Sequence, residues 1–396
     1  MTSKRCQNFI LNRKWFEHFS PRDFHIHFEY FDYLFRDYIG RHKNPALLWD
    51  AAGVAGGLVK VRVGEPEPVF HFIAVKYGND WNRFSIPPEK LQIIQPDTRL
   101  SVGGESIDIA KTGFLFVAPT FRFEIVTDPH FVDLTQRSAS DGHAIYRFDR
   151  QQVRQPSLIF SANVNHLVTN KRVHGKYSKP PKYVLYQHMF GDETEYPMNG
   201  LFYVGITQRD WKKRWGEHKA AINRGSPLKF HRTFRERLAE NRITHIHHKV
   251  MEAVDDLKLL YAIEEQTVEG HWEDDRLLNM IPGGEKGLKY LHEHKILNSK
   301  VQPMPDYVDA MLEKWVLKNP RKGLPAPWIS EKWKDNVWAS KVICGRKERL
   351  SIEQVRAIRA LGNTDLTPDE IAFKVGAKNA LQVRKVINRV TYNRVA

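Results

Sequence analysis

Cysteine is nearly absent: Cys6 and Cys344 are the only two in 396 residues. Two distant thiols cannot build a multi-bridge disulfide framework or a thiolate metal cluster, and they fit a reducing cytoplasm, bacterial or phage-infected. No run of eighteen apolar residues occurs, so no membrane partner is expected, and the opening MTSKRCQNF lacks the apolar core of a signal peptide. Acid is also in deficit. With 46 Asp and Glu against 61 Lys and Arg, the chain carries a net charge of +15 and should attract a polyanion, nucleic acid being the expected one. The length suits two or three domains.

What is present is a spaced series: Tyr186, then Tyr203-Val204-Gly205, Arg214 and His218 four residues apart, Glu264 and Asn279. These are the residue types that phosphodiester cutting needs. A phenol can relay a proton, a guanidinium holds phosphate oxygens in a fixed fork, and a carboxylate can hold a divalent metal. YVLYQHM and LFYVGIT read as two strands of a hairpin, with GDETEYPMNG as a long polar loop between them. Gly205, lacking a Cβ, is where another backbone or a phosphate could come close. TQRDWKKRWGEHKAAINRG reads as a helix with Trp211, Trp215 and Ile222 on an inner flank. Arg214 and His218, one turn apart, then point together into a cleft beside Tyr203.

These residues resemble the GIY-YIG nuclease family, most of all its phage homing endonuclease branch. Val184-Leu185-Tyr186 stands as the first triplet and Tyr203-Val204-Gly205 as the second. Arg214 in KKRWGEH, Glu264 on a later helix and Asn279 in LLNMIPGG complete the motif over roughly residues 180 to 290. The gap between the tyrosines is longer than the family's, an insertion placed in the hairpin loop, and Tyr183 is the other candidate for the first tyrosine. Glu265 is likewise the alternative to Glu264. The resemblance implies a metal-dependent DNA endonuclease. Glu264 would hold one Mg²⁺ or Mn²⁺, Tyr186 would take the proton of the attacking water, and Arg214 would clamp the phosphate. Tyr203 and His218 would orient oxygens, and Asn279 would brace Glu264 or backbone.

Twelve Lys and Arg against four Asp and Glu lie between Gly205 and Val250. Lys212, Lys213, His231 and Arg232 are the candidates there for holding double-stranded DNA by its phosphates. Asp37-Tyr38-Ile39-Gly40 also spells the second triplet, but without the paired strand or the following Arg. His245, His247 and His248 alternate as a strand would, with the first and second on one face.

The expected architecture is multidomain α+β. Residues 1–175 read as an α+β domain of their own, beginning with an aromatic, His-rich helical pattern from Phe16 to Tyr38. Its role is open between gripping DNA, binding another protein and self-association, and its acids, Glu124 and Asp133 among them, are scattered. Residues 180–292 carry the nuclease pattern. Residues 293–349, with Pro303, Pro305, Pro320, Pro325 and Pro327 among Trp315, Trp328, Trp333 and Trp338, read as an extended basic connector. Residues 350–396 read as three short helices of helix-turn-helix type, opened by capping boxes at Ser351/Gln354 and Thr367/Glu370. Leu381, Val383, Val386 and Ile387 would face inward, leaving Asn379, Gln382, Arg384, Lys385 and Asn388 toward DNA. One site per chain means that cutting both strands takes a second protomer, as a dimer on DNA, or sequential nicks. Two rival readings are a restriction or defence nuclease reading DNA through residues 1–175, and a non-catalytic DNA-binding regulator.

Overall fold

The computed structural model describes residues 9–41, 59–62, 68–86, 101–102, 105–106, 114–127, 130–132, 147–149, 155–170, 179–196, 199–297, 307–320, 324, 333–344 and 349–395. Cys6, Asp133, Pro303, Pro305, Pro325, Pro327 and Trp328 lie outside them. The chain forms two compact units, Met1–Pro320 and Arg321–Ala396.

Seven strands frame the first unit: β1 Val69–Tyr77, β2 Asp80–Ile86, β3 Thr120–Thr127, β4 Ser157–Asn163, β5 Tyr183–Gly191, β6 Leu201–Thr207 and β7 His245–Val254. Their order is β6-β5-β7-β4-β3-β1-β2, with β7/β4 and β3/β1 parallel and the other neighbours antiparallel. The class is α+β, as expected. The separate N-terminal domain is not what is found: four strands precede residue 175 and three follow it, in one hydrogen-bonded sheet joined at β4 and β7.

Alternation explains the faces of this sheet. Phe70 and Phe72, Phe121 and Phe123, and Phe160 line one face. Against it pack Phe16, Phe19, Phe24, Phe28, Phe31 and Phe35 from α1 Arg13–Phe19, α2 Arg22–His25 and α3 Phe28–Arg41. Each is buried, and each such side chain contributes roughly 1.5–3 kcal/mol. The Tyr38-Ile39-Gly40 triplet falls inside α3.

On the same face, across β7, β5 and β6, phenylalanine gives way to His248, His188, Tyr186 and Tyr203. The helices α4 Trp211–Asn223 and α5 Lys229–Ala239 cover this half through Trp215, Phe230 and Phe234. Trp211 ties the halves together: its ring stacks on Phe160 at 6.3 Å, and its indole N–H donates to Phe19 O at 2.8 Å.

The opposite face is buried too, and beside the apolar Ile73, Val75 and Val126 it carries polar groups. Glu124 accepts from the Tyr196 hydroxyl and lies 3.2 Å from His71 Nε2, while Ser161 Oγ is 2.6 Å from His247 Nε2. His245 and His247 share this face, and His248 takes the other, as the alternation predicts.

The unit is completed by α6 Leu257–Gly270, α7 Gly284–Glu293 and α8 Val308–Lys318. The connector expected over 293–349 carries the helix α8 among its described residues. Pro320 stands just beyond the C-terminal end of α8, where proline does not interrupt its hydrogen bonds.

In the second unit, α9 Asn336–Cys344, α10 Ile352–Leu361, α11 Pro368–Val375 and α12 Ala380–Ile387 enclose Val355, Ile358, Ile371, Val383 and Val386. Both capping boxes form, and Gly376 ends α11 at φ +68°, a left-handed turn that suits glycine. Leu381 does not face inward as expected. It is 58% exposed, because the inward stripe is set by Val383, Val386 and Ile387, and a residue two positions before Val383 falls on the other side of the helix.

Candidate active site

A cavity of about 70 Å³ lies at the edge of the sheet that carries β6. Tyr186, Tyr203, Arg214, His231, Tyr261, Glu264 and Asn279 line it, with Gly284 of α7 and Val308, Asp309 and Leu312 of α8. Tyr186 and not Tyr183, and Glu264 and not Glu265, reach it; the Glu265 carboxylate instead accepts from Lys286 N–H at 3.1 Å.

The two tyrosines are placed by β5 and β6. Tyr186 pairs with Gly205 and His188 with Tyr203, so all four occupy one face. At Gly205 it is the Tyr186 phenol that comes close, rather than backbone or phosphate: a Cβ there would stand 2.7 Å from the Tyr186 hydroxyl and 2.9 Å from the Tyr203 ring. Asn279 holds the strand between them like an added strand. Its Oδ1 accepts from Val204 N–H at 2.9 Å, and its Nδ2 donates to Val204 O at 2.8 Å. The brace is thus on backbone.

Behind Tyr186 runs a chain of three contacts. Tyr186 OH lies 3.2 Å from His218 Nε2, His218 Nδ1 lies 2.9 Å from His231 Nε2, and His231 Nδ1 lies 2.9 Å from Ser226 Oγ. Burial, with Arg214 and His231 beside it, holds the His218 pKa well below the ordinary imidazole value, and burial lowers that of His231 too. Both rings are therefore neutral near pH 7. Two hydrogen arrangements satisfy all three contacts. In one the phenol donates to His218 and the donors run toward Ser226; in the other they run back, and His218 donates to the phenol oxygen.

Arg214 is buried on α4. Its Nη1 donates to Glu217 at 2.7 Å and its Nη2 to Asp309 at 2.5 Å, while Asp309 also accepts from the Tyr203 hydroxyl at 3.1 Å. Burial opposes the charge of this guanidinium, but Asp309, Tyr186, Tyr203 and Glu217 together outweigh it and raise the pKa. The Tyr203 phenol is pushed well above its ordinary value by burial and then by Asp309. Among the described residues, Arg214 Nε and the Tyr261 hydroxyl are buried without a hydrogen-bond partner. Both can donate a hydrogen bond.

Glu264 sits on α6 with one carboxylate oxygen accepting from Gly284 N–H at 2.8 Å. The approach requires glycine. Gly284 has φ +58°, and a Cβ there would lie 2.2 Å from Tyr261 O; one at Gly283 would lie 2.7 Å from Glu264 O. Burial, aided by Asp309 and opposed by the Gly284 hydrogen bond, pushes the Glu264 carboxyl up to about 7. Among the described residues no three His, Cys, Asp or Glu side chains form a ready cage for an ion. Mg²⁺ needs no such cage, since it is held by one or two carboxylates, water and substrate phosphates. The Glu264 carboxylate is the group here that could hold it, while the unpartnered donors suit the phosphate that would complete its shell.

Among the residues expected to hold DNA phosphates, Lys213 and Arg232 are exposed. Lys212 turns inward and caps α1, donating to Glu17, His18 and Ser20 carbonyls at 3.1, 2.8 and 3.3 Å. His231 is buried in the imidazole chain rather than presented to solvent. In the second unit Arg384, Lys385 and Asn388 are exposed, while Asn379 and Gln382 cap α12: Asn379 Oδ1 accepts from Gln382 N–H at 2.9 Å.

Asp309, Tyr261 and Ser226 are the participants that sequence reasoning missed. Tyr261 was findable, three residues before Glu264 and so on its helical face. Asp309 carries no local signal, standing 95 residues from its partner Arg214. No family model, curated protein or solved structure matches this chain.

Proposed function

We propose that this protein is a metal-dependent DNA endonuclease of the GIY-YIG type. The observation that carries the reading is the convergence, on one cavity, of Tyr186, Tyr203, Arg214, Glu264 and Asn279, five residues spread over 94 positions of the chain. His218 stands directly behind Tyr186.

Hydrolysis forms a bond from water oxygen to phosphorus and breaks one P–O bond of the DNA strand. The attacking water must lose a proton. A phenol of ordinary pKa ~10 is a weak base at neutral pH. Here Tyr186 passes its own proton to neutral His218 Nε2 as it takes one from water, His218 hands its Nδ1 proton to His231 Nε2, and the protonated His231 returns it by the reverse path once the bond to phosphorus has formed. Arg214 holds the phosphate oxygens by its fork, and the unpartnered Tyr261 hydroxyl donates to the same group. Glu264 would hold Mg²⁺ or Mn²⁺, which supplies positive charge against the negative charge growing on phosphate and leaving oxygen. Asn279 keeps Tyr203 and Gly205 in register throughout. The second unit, with Arg384, Lys385 and Asn388 outward on and just beyond α12, would bind duplex DNA, and the protein works where DNA is found, in the cytoplasm.

The test is incubation of supercoiled plasmid and phage DNA with Mg²⁺ or Mn²⁺, comparing wild type with Arg214→Ala. The reading predicts metal-dependent cutting by the first alone, each protein being used at a concentration that saturates the DNA. Deleting residues after Arg349 should abolish site preference; specificity that survives the deletion assigns readout to the first unit.

A further inference from the structure

The helix α8 sets acid against arginine at two points, one lining the cavity and one outside it. Asp309 binds Arg214 at 2.5 Å and the Tyr203 hydroxyl at 3.1 Å. One turn later Glu313 binds Arg224, at the end of α4, at 2.5 Å. Between them Leu312 is buried. Residues four apart on a helix are separated by about 6 Å of rise, the reach of one to two nucleotide steps at ~3.4 Å of axis each. Two carboxylates at that spacing, each on an arginine, have the charge pattern of a short stretch of sugar-phosphate backbone.

The space left with α8 in place is also informative. About 70 Å³ admits a few waters but falls far short of the ~300 Å³ at which ligand pockets begin. The guanidinium that should grip phosphate already holds a carboxylate. Two buried donors nearby, Arg214 Nε and Tyr261 OH, remain unmet among the described residues.

We propose that Arg214 and Arg224 form a track for successive phosphates of a DNA strand, and that α8 occupies this track as an internal substitute for the strand until DNA displaces it. The proposal rests on the nuclease reading for its substrate and adds Arg224 as a residue that positions the strand beyond the cut. A tethered competitor acts at high effective concentration, so the apparent affinity for DNA is reduced by the fraction of chains in which α8 is seated. Such a device restrains cutting of DNA held too weakly to compete.

The experiment uses the full chain as wild type, as Asp309→Asn/Glu313→Gln, as Asp309→Asn alone and as Arg224→Ala. Duplex affinity is measured by anisotropy of a labelled oligonucleotide in EDTA, amide hydrogen exchange is followed over 308–318, and plasmid nicking is measured with Mg²⁺. In wild type the α8 amides should lose protection when duplex is added. The double variant should lose it without DNA, keep wild-type protection in β5–β7, bind duplex at least about fivefold tighter and nick faster. Arg224→Ala should bind more weakly. Amides of α8 that stay protected at saturating duplex, or a double variant with unchanged affinity and rate, overturn the proposal. Loss of cutting in Asp309→Asn overturns it as well. If no variant cuts but α8 release and the affinity gain both occur, the track stands and the nuclease reading falls; a chain that binds no duplex ends both.

Discussion

The Tyr186 phenol lies across the bare Cα of Gly205, its hydroxyl 2.7 Å from where a Cβ would stand. The glycine of the second motif therefore makes room for the tyrosine of the first. Gly205→Ala must shift the ring from its place beside His218. Overpacking of this kind costs roughly 1–3 kcal/mol of stability, but the effect on rate should be larger, about a hundredfold in plasmid nicking. A variant that nicks within twofold of wild type would show that the phenol is not held by this contact.

Asn279→Ala removes both hydrogen bonds to Val204 and leaves a backbone N–H and a carbonyl of β6 without their partner. The expected loss is roughly 1–3 kcal/mol in urea unfolding, with faster exchange at the Val204 amide. An unchanged midpoint and unchanged exchange would remove the brace from the account.

Glu264 fixes a pH dependence. Its carboxyl is raised from 4.5 to about 7 in the folded protein, so folding binds its proton. The stability it contributes is fully present below about 4.5 and is lost as pH rises through 7. Glu264→Gln is insensitive to this, so the stability difference between variant and wild type should grow from pH 4 to pH 8 in favour of the variant, by up to about 3 kcal/mol. Metal binding has the opposite demand, since it needs the carboxylate. Mn²⁺ affinity should therefore rise with pH up to about 7 and level off above. Calorimetric titrations at pH 6 and 8 that give equal affinities would contradict both statements.

His218→Ala breaks the chain at its first link and should lower the nicking rate by roughly 10²–10⁴, the range of general acid–base catalysis. His231→Ala acts at the second link. Its effect should be smaller and shift the pH profile, because His218 then loses the ring that orients its Nδ1. Equal rates in His231→Ala and wild type at every pH would reduce the chain to packing.

The parts of the site legible in the sequence are those set by short-range geometry. The pairing of Tyr186 with Gly205, the one-turn spacing of Arg214 and His218, and both capping boxes follow from residues a strand pair or a helical turn apart. What stayed hidden depends on contacts across the fold. Trp211 and Lys212 look like one apolar and one charged residue of a basic helix, yet one stacks on Phe160 and the other caps α1, nearly 200 residues earlier. A parallel pairing such as β4 with β7 has no turn to announce it, so the single sheet was read as two domains. Prolines in 293–349 pointed to an extended chain, and the helix between two of them carries the acid that meets Arg214.

The most direct test of the central claim is relaxation of supercoiled plasmid in Mg²⁺ by wild type and Glu264→Ala, each at saturating protein with DNA binding confirmed on the same samples. The account predicts conversion to nicked or linear DNA by wild type, and a rate at least about a hundredfold lower for the variant at equal binding. Cutting by Glu264→Ala at the wild-type rate would contradict it.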